Sequence, residues 1–174
     1  VDPRPTPRSV GRAVPARHRR PRAERKKAPA FEGPASTGST LRLDDYRGKY
    51  LVLYFYPKSL TLGCTRETIK FRDSHDEIRS LGADIVGISP DPLETQCKFA
   101  EHYQARFPII ADEDGKIARE FGVMRSLIKF VRRETFVIDP EGYIVARFHH
   151  EVFVDKHVDD VIAFLRSRSS GSSS

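Results

Sequence analysis

The sequence predicts an α/β domain with a mixed central sheet and helices on both of its faces. Two observations lead to this fold class. From residue 50 onward, short apolar runs typical of buried strands alternate with helical segments, which indicates parallel strands joined by crossover helices. Near the end, residues 133–139 and 143–149 are strand-like segments separated only by a Pro-Glu-Gly turn, which predicts an antiparallel hairpin. No glycine-rich phosphate-binding motif is present, so a nucleotide-binding fold is disfavoured.

The first half of the domain contains two predicted strands and two predicted helices. Residues 50–56 are continuously apolar, as in a central strand that is covered on both faces. Residues 64–81 predict one long helix, and Gly82 suits its C-terminal cap. Residues 83–89 predict a second buried strand, and the prolines that follow it favour the start of a helix over residues 92–104.

The second half continues the alternation and then closes with the hairpin. The predicted elements are a strand over residues 107–111, a polar turn over 112–115, a short helix over 116–121 ended by Gly122, the two hairpin strands, and an amphipathic helix over 156–167. This order of elements is the layout of a thioredoxin-like domain.

The charge of the chain is concentrated at its beginning. The net charge of +6 divides into +7 over residues 1–26 and −1 over the remainder. We therefore predict a disordered, basic, Pro/Arg-rich tail over residues 1–26, a folded domain over 27–167 and a flexible Ser/Gly end over 168–174. An arm for nucleic acid or another anionic surface and an organelle transit peptide are the alternatives for the tail.

Several classes of protein are disfavoured by the composition. No apolar run reaches the ~18–20 residues of a membrane-spanning helix, and no secretory signal is visible. Two cysteines without short spacing argue against a disulfide scaffold and favour a reducing, cytoplasmic setting. His149, His150 and His157 do not match a standard metal-site spacing, so we expect solvated histidines there and at His75, and no metal.

The segment most informative about function is PKSLTLGC, residues 57–64, directly after the first buried strand. It contains a proline turn and a threonine, and it ends in Cys64 at the predicted start of a helix. The reactive form of cysteine is the thiolate, which a helix N-terminus favours. A cysteine at such a junction is more often a small buried hydrophobic residue, so this placement alone is weak evidence for catalysis.

The spacing Pro-x-x-x-Thr-x-x-Cys resembles the active-site signature of peroxiredoxins. From residue 27 to 165 the chain is similar to this family, in particular to its Q-type or bacterioferritin-comigratory branch. The matching segments, in order, are KAPAF (27–31), YRGK (46–49), LYFYPK (53–58), GCT (63–65), FRD (71–73), VGIS (86–89), FGV (121–123) and RETFVID (133–139).

The resemblance implies a role for each residue of the site. Cys64 is the peroxidatic cysteine, and Arg133 supplies the cation that stabilises its thiolate and binds the peroxide oxygens. Thr61 holds the peroxide in line with the sulfur, and Pro57 fixes the loop and shields the thiolate. Glu67 is a possible supporting residue that orients the arginine.

The resemblance leaves the second cysteine open. Many Q-type members carry a resolving cysteine five residues after the peroxidatic one, where this chain has Ile69. A second group carries it on the following helix, at a position that aligns with Ala100. Cys97 lies three residues earlier, nearly one helical turn away. Cys97 is therefore a possible resolving cysteine, and an inert thiol beside a one-cysteine mechanism is the alternative.

The implied activity is a peroxidase that reduces hydrogen peroxide and organic hydroperoxides and is recycled by thioredoxin or another thiol. No cofactor is implied because sulfur carries the electrons, no membrane or nucleic-acid partner is expected, and the state is a monomer or homodimer. The first alternative is a thioredoxin-like disulfide oxidoreductase, which Glu67 disfavours because that chemistry requires a second cysteine there. The second is a nucleic-acid-associated protein that acts through the basic tail.

Overall fold

The computed structural model describes residues 26–59, 61–125, 130–150 and 153–171. The predicted tail over residues 1–26 therefore lies outside the described residues except for Lys26, whose carbonyl accepts a hydrogen bond from the backbone of Ile144. The elements are β1 (Glu32–Pro34), β2 (Thr40–Arg42), a 3₁₀ helix (Leu43–Tyr46), β3 (Tyr50–Phe55), α1 (Leu62–Asp73), α2 (His75–Ser80), β4 (Ala83–Ser89), α3 (Leu93–His102), β5 (Ile109–Ala111), α4 (Lys116–Glu120), β6 (Met124–Arg125), β7 (Phe130–Val131), β8 (Glu134–Ile138), β9 (Ile144–His149) and α5 (Asp155–Ser169).

Among the described residues, five strands form the central sheet in the order β5-β4-β3-β8-β9. Strand β4 pairs in parallel with both β3 and β5, whereas β8 pairs antiparallel with β3 and β9. The predicted mixed sheet, with crossovers first and one hairpin late, is therefore confirmed. Two smaller hairpins, β1-β2 and β6-β7, were not predicted from the sequence.

The central strand β3 is buried on both faces of the sheet, as its apolar run predicts. Leu51, Leu53 and Phe55 point into one core, where they meet Phe121 and other residues at the end of α4. The alternate residues of the strand point into a second core, which is covered by residues of α1, α2, α3 and α5. Cys64 lies in this second core and is completely buried.

The prediction of one helix over residues 64–81 is wrong. The backbone of Ser74 has φ −93° and ψ 2°, outside the helical region, and the chain therefore forms α1 and α2 with Ser74 between them. As a result His75, which we expected to be exposed, begins α2 with only 8% of its surface exposed. Gly82 follows with φ +82°, the left-handed conformation that its predicted cap role requires.

The remaining differences are shifts of element ends. Helix α5 continues to Ser169, two residues past the predicted 167. The strand predicted over residues 107–111 begins only at Ile109, because Pro108 has no amide hydrogen to donate to a ladder. Among the described helices, none is long and apolar enough to cross a membrane.

Candidate active site

Cys64 lies in the first turn of α1, immediately beyond the carboxyl end of central strand β3. The helix begins after Thr61, whose backbone is extended and whose carbonyl accepts the first helical hydrogen bond from the amide of Thr65 at 2.9 Å. The amides of a first helical turn have no partners within the helix and carry partial positive charge. The predicted placement of the thiol at a helix N-terminus is therefore observed.

A buried arginine and a buried glutamate complete the surroundings of the sulfur. Arg133 Nη2 donates a hydrogen bond to Cys64 Sγ at 3.2 Å, and Arg133 Nη1 donates to Glu67 Oε2 at 2.6 Å. Glu67 and Cys64 have no exposed surface, and Arg133 exposes only 6%. Because Cys64 and Glu67 are three residues apart on α1, the planar guanidinium can reach both of them at once.

The electrostatics of this cluster keep the arginine charged. Burial by itself lowers the pKa of Arg133, but the Glu67 carboxylate and the Cys64 sulfur offset this effect and raise the pKa above its usual value. A positive charge held against sulfur stabilises the thiolate relative to the neutral thiol.

The residue before Cys64 must be small for this contact to form. A Cβ atom on Gly63 would lie 3.2 Å from Arg133 Nη2, which is tighter than ordinary packing. The guanidinium therefore approaches the backbone of Gly63 closely. Arg132, the neighbour of Arg133, is exposed.

Thr61 and Pro57 lie on the same loop but are less enclosed. Thr61 is exposed, and its hydroxyl donates to the carbonyl of Lys58 at 2.8 Å. Pro57 is half-buried directly after the last residue of the apolar run. The three residues of the predicted motif thus follow the carboxyl end of β3 on one loop and the helix it enters, and Arg133 contacts the last of them, Cys64.

A buried polar cluster beneath this loop was missed by the sequence analysis. Tyr56 and Ser59 both direct their hydroxyls at Gln96 Oε1, at distances of 2.8 and 3.0 Å, and Asp91 accepts a hydrogen bond from the amide of Ser59. These contacts join the loop to α3 and to the segment before it. Desolvation raises the pKa of Tyr56 well above its usual value, so the phenol remains a hydrogen-bond donor. No sequence pattern pairs a serine with a glutamine 37 residues away.

His157 was also misjudged from the sequence. We expected it to be solvated, but it has no exposed surface and its Nδ1 lies 2.9 Å from Thr135 Oγ1. The reason is the face of α5 on which it lies, since Val158, Val161 and Leu165 on this helix are also buried. The signal available in the sequence was the i, i+4 spacing of His157 and Val161, which places the histidine on the apolar stripe.

Cys97 does not belong to this cluster. It lies on α3, partly buried, and its thiol contacts the carbonyl of Ser36 at 3.8 Å. It lines an open groove of about 500 Å³ together with Ala100, Phe107 and other residues. Its neighbour Gln96 is the residue of α3 that faces the loop of Cys64. Within the described part of the chain, no cluster of three histidine, cysteine or carboxylate residues is arranged to hold a metal ion.

Comparison with known proteins identifies the family. The model of the AhpC/TSA family matches residues 25–147. Peroxiredoxin Bcp of Bacillus subtilis is 40% identical over 150 residues, covering 83% of this chain and 95% of the relative. The chain belongs to the AhpC/TSA family. The chloroplastic peroxiredoxin Q of Populus jackii is 36% identical over 140 residues, which cover 80% of this chain and 66% of that protein. These relatives place the chain in the Bcp and peroxiredoxin Q branch.

Solved structures of AhpC/TSA proteins agree with this placement. Peroxidoxin BcpB from Mycobacterium tuberculosis superposes with a TM-score of 0.78 at 38% identity, covering 82% of this chain and 96% of that one. Peroxiredoxin Q from Xanthomonas campestris gives a TM-score of 0.75 at 32% identity, with coverages of 80% and 91%. The predicted thioredoxin-like fold is confirmed, and the chain is a thiol-dependent peroxidase.

Proposed function

We propose that Cys64 is the peroxidatic cysteine of this peroxidase. The observation that carries the proposal is the 3.2 Å contact between Arg133 Nη2 and Cys64 Sγ in a site where both residues are buried. A permanent cation on the sulfur favours the thiolate, which is the form that attacks peroxide.

The reaction is a two-electron transfer from sulfur to the peroxide. The thiolate of Cys64 attacks the terminal oxygen of ROOH, the S–O bond forms as the O–O bond breaks, and the leaving RO⁻ takes a proton to become ROH. Arg133 lies where its guanidinium can stabilise the negative charge that develops on the oxygens. Sulfur itself carries the electrons, so we propose no metal or organic cofactor.

Each of the other site residues supports this step. Glu67 fixes the guanidinium through the 2.6 Å contact, which leaves Nη2 directed at the sulfur. The Thr61 hydroxyl is at the exposed side of the loop, where it can release the Lys58 carbonyl and bind the incoming peroxide. Pro57 limits the conformations of the loop because its φ is fixed.

We propose both hydrogen peroxide and organic hydroperoxides as substrates. Leu62, two residues before Cys64 at the start of the same helix, is 82% exposed, and Phe153 is 67% exposed just before Val154, which lies near Gly63. This apolar surface suits the alkyl chain of an organic hydroperoxide better than a purely polar surface would. The bacterioferritin comigratory protein of Xanthomonas campestris is described as having alkyl peroxide reduction activity.

The first test compares peroxide consumption by wild type, Cys64→Ser and Cys97→Ser with dithiothreitol as the reductant. We expect Cys64→Ser to lose activity with the fold intact, because a serine hydroxyl stays protonated at neutral pH. Turnover near the wild-type rate in that variant would refute the assignment of Cys64.

We further propose that Cys97 resolves the oxidised Cys64. The sulfenic acid would condense with the Cys97 thiol, forming an S–S bond and releasing water. In the reduced structure Cys97 faces Ser36 rather than the Cys64 loop, so the first turn of α1 must open to let the sulfurs meet. Thioredoxin would then reduce the disulfide by thiol–disulfide exchange.

Intact-mass measurement after one equivalent of peroxide tests this second step. A Cys64–Cys97 disulfide makes wild type lighter by two hydrogens, and Cys97→Ser instead gains one oxygen on Cys64, with a second oxygen only when more peroxide is added. If wild type gains oxygen and Cys97→Ser behaves identically, the enzyme uses one cysteine and a small-molecule thiol resolves it.

We propose a cytoplasmic location, because two cysteines without short spacing do not form a disulfide scaffold and thiol chemistry suits a reducing compartment. Import into an organelle is the alternative, since the Populus jackii relative is chloroplastic. Fractionation of cells that express the full chain distinguishes the two.

A further inference from the structure

A buried histidine lies directly behind the glutamate of the site. His157, on α5, has no exposed surface. Its Nδ1 lies 2.9 Å from Thr135 Oγ1, and its Nε2 lies 2.9 Å from the backbone carbonyl of His150 and 3.2 Å from the backbone nitrogen of the same residue. Both ring nitrogens therefore have polar neighbours inside the fold.

This histidine is continuous with the Arg133–Cys64 contact. His157 Nδ1 lies 4.0 Å from Glu67 Oε1, and the other carboxylate oxygen accepts the hydrogen bond from Arg133. Thr135 lies on β8, two residues after Arg133, which immediately precedes this strand. The imidazole of His157, which contacts the Thr135 hydroxyl, thus lies beside the Glu67 carboxylate.

Burial is the main reason why His157 is neutral. It lowers the pKa of His157 to about 4; the hydrogen bond to the His150 backbone raises this pKa, and electrostatic interactions with His150, Arg133 and His149 lower it further. Glu67 is the acidic group that faces it from α1, and Asp160 pairs with His150 at 2.7 Å. We assign the proton to Nε2 from its shorter contact, 2.9 Å to the His150 carbonyl against 3.2 Å to the His150 amide, which leaves Nδ1 to accept from the Thr135 hydroxyl.

We propose that His157 is a positioning residue for the catalytic arginine. Its neutral Nδ1 accepts a hydrogen bond from the Thr135 hydroxyl and presents no proton to Glu67. The Glu67 carboxylate therefore keeps its hydrogen bond with Arg133. A protonated Nδ1 would instead donate toward Glu67 and compete with the guanidinium. This inference rests on the proposed roles of Cys64, Arg133 and Glu67, and it assigns His157 a function that packing alone does not require.

The first experiment compares substitutions that keep or remove the Nδ1 contact. His157→Asn retains a polar atom near the position of Nδ1, whereas His157→Leu retains only bulk. We expect His157→Leu to react with peroxide about tenfold more slowly, because it loses the hydrogen bond with Thr135. We expect His157→Asn to recover most of the rate. His75→Leu is the matched control, because it removes another buried histidine, in α2, and should leave the rate unchanged.

The rate measured is that of single-turnover oxidation by peroxide, divided by the concentration of titrated thiol. Only protein whose circular dichroism spectrum matches that of wild type is used, so that partial unfolding does not count as lost activity. The pH profile of Cys64 alkylation by iodoacetamide is the second readout. We expect the profile of His157→Leu to move to higher pH, because a displaced guanidinium stabilises the thiolate less. A purely structural role lowers the unfolding midpoint without moving either readout.

A double-mutant cycle with Glu67→Gln shows whether His157 acts through the glutamate. If it does, Glu67→Gln/His157→Leu is no slower than Glu67→Gln alone. Additive losses, or an unchanged rate in folded His157→Leu, overturn the inference. Cys64→Ser tests the proposed function separately. If Cys64→Ser is inactive, the proposed function stands even where His157→Leu reacts at the wild-type rate.

Discussion

Replacing Arg133 by methionine tests the electrostatics of the site most fully. The change deletes the 3.2 Å hydrogen bond to Cys64 and the 2.6 Å hydrogen bond to Glu67 while keeping much of the side-chain volume. Losing a preorganised donor to a developing anion costs on the order of 10²–10³ in rate, or about 3–4 kcal/mol in the barrier. Because Glu67 has no exposed surface, its carboxylate is left buried without its cation, which costs about 3–5 kcal/mol of folding free energy.

The two effects are separable by a second substitution. Arg133→Met/Glu67→Gln removes the uncompensated charge, so it should regain much of the stability in urea unfolding while the single-turnover peroxide rate stays low. Arg132→Met is the matched control, since Arg132 is exposed one residue away, and it should stay within about twofold of wild type. A large rate loss in Arg132→Met, or a normal rate in Arg133→Met, would refute the reasoning.

Two further predictions concern the rim of the site and its buried histidine. Thr61→Val should slow peroxide attack by more than about tenfold but change the rate of Cys64 alkylation by iodoacetamide little. The reason is that the hydroxyl positions peroxide and contacts the Lys58 carbonyl rather than the sulfur. Equal losses in both assays would contradict this prediction. The pKa of His157 is about 4 in the fold and about 6.5 in an unfolded chain, so the unfolded state binds more protons between these values. Stability should therefore fall as pH is lowered from about 6.5 to 4, by up to about 3 kcal/mol, in urea unfolding; a His157→Asn variant with the same pH dependence would show that other groups cause it.

The sequence was sufficient to predict the sheet because its strands are continuous apolar runs. The apolar run over residues 50–56 predicted β3 to within one residue, as a strand buried on both faces, and the hairpin over residues 133–149 was predicted by its turn residues. The break between α1 and α2 was not predictable, because a serine also occurs on helix surfaces and the sequence does not show that the backbone of Ser74 leaves the helical region. The short β1-β2 and β6-β7 hairpins have too few residues to show a periodic pattern.

Part of the site was likewise predicted from local sequence, whereas other parts depend on contacts between residues far apart in the chain. The position of Cys64 follows from the local order of strand, proline turn and helix, and its arginine was located by resemblance to relatives. The contacts of Gln96 with Ser59 and of His157 with Thr135 join residues far apart in the chain, and neither appears as a motif. Both depend on which face of a helix meets the sheet, a property that becomes visible only once the elements are packed.

The most direct test of the central claim is to locate the sulfur that peroxide oxidises. Reduced protein is mixed with one equivalent of hydrogen peroxide in the presence of dimedone, which traps sulfenic acid, and the modified peptide is identified by mass spectrometry. We predict dimedone on Cys64 in the Cys97→Ser variant, and neither adduct nor rapid peroxide loss in Cys64→Ser. Dimedone on Cys97 alone, or rapid peroxide consumption by Cys64→Ser, would contradict the account.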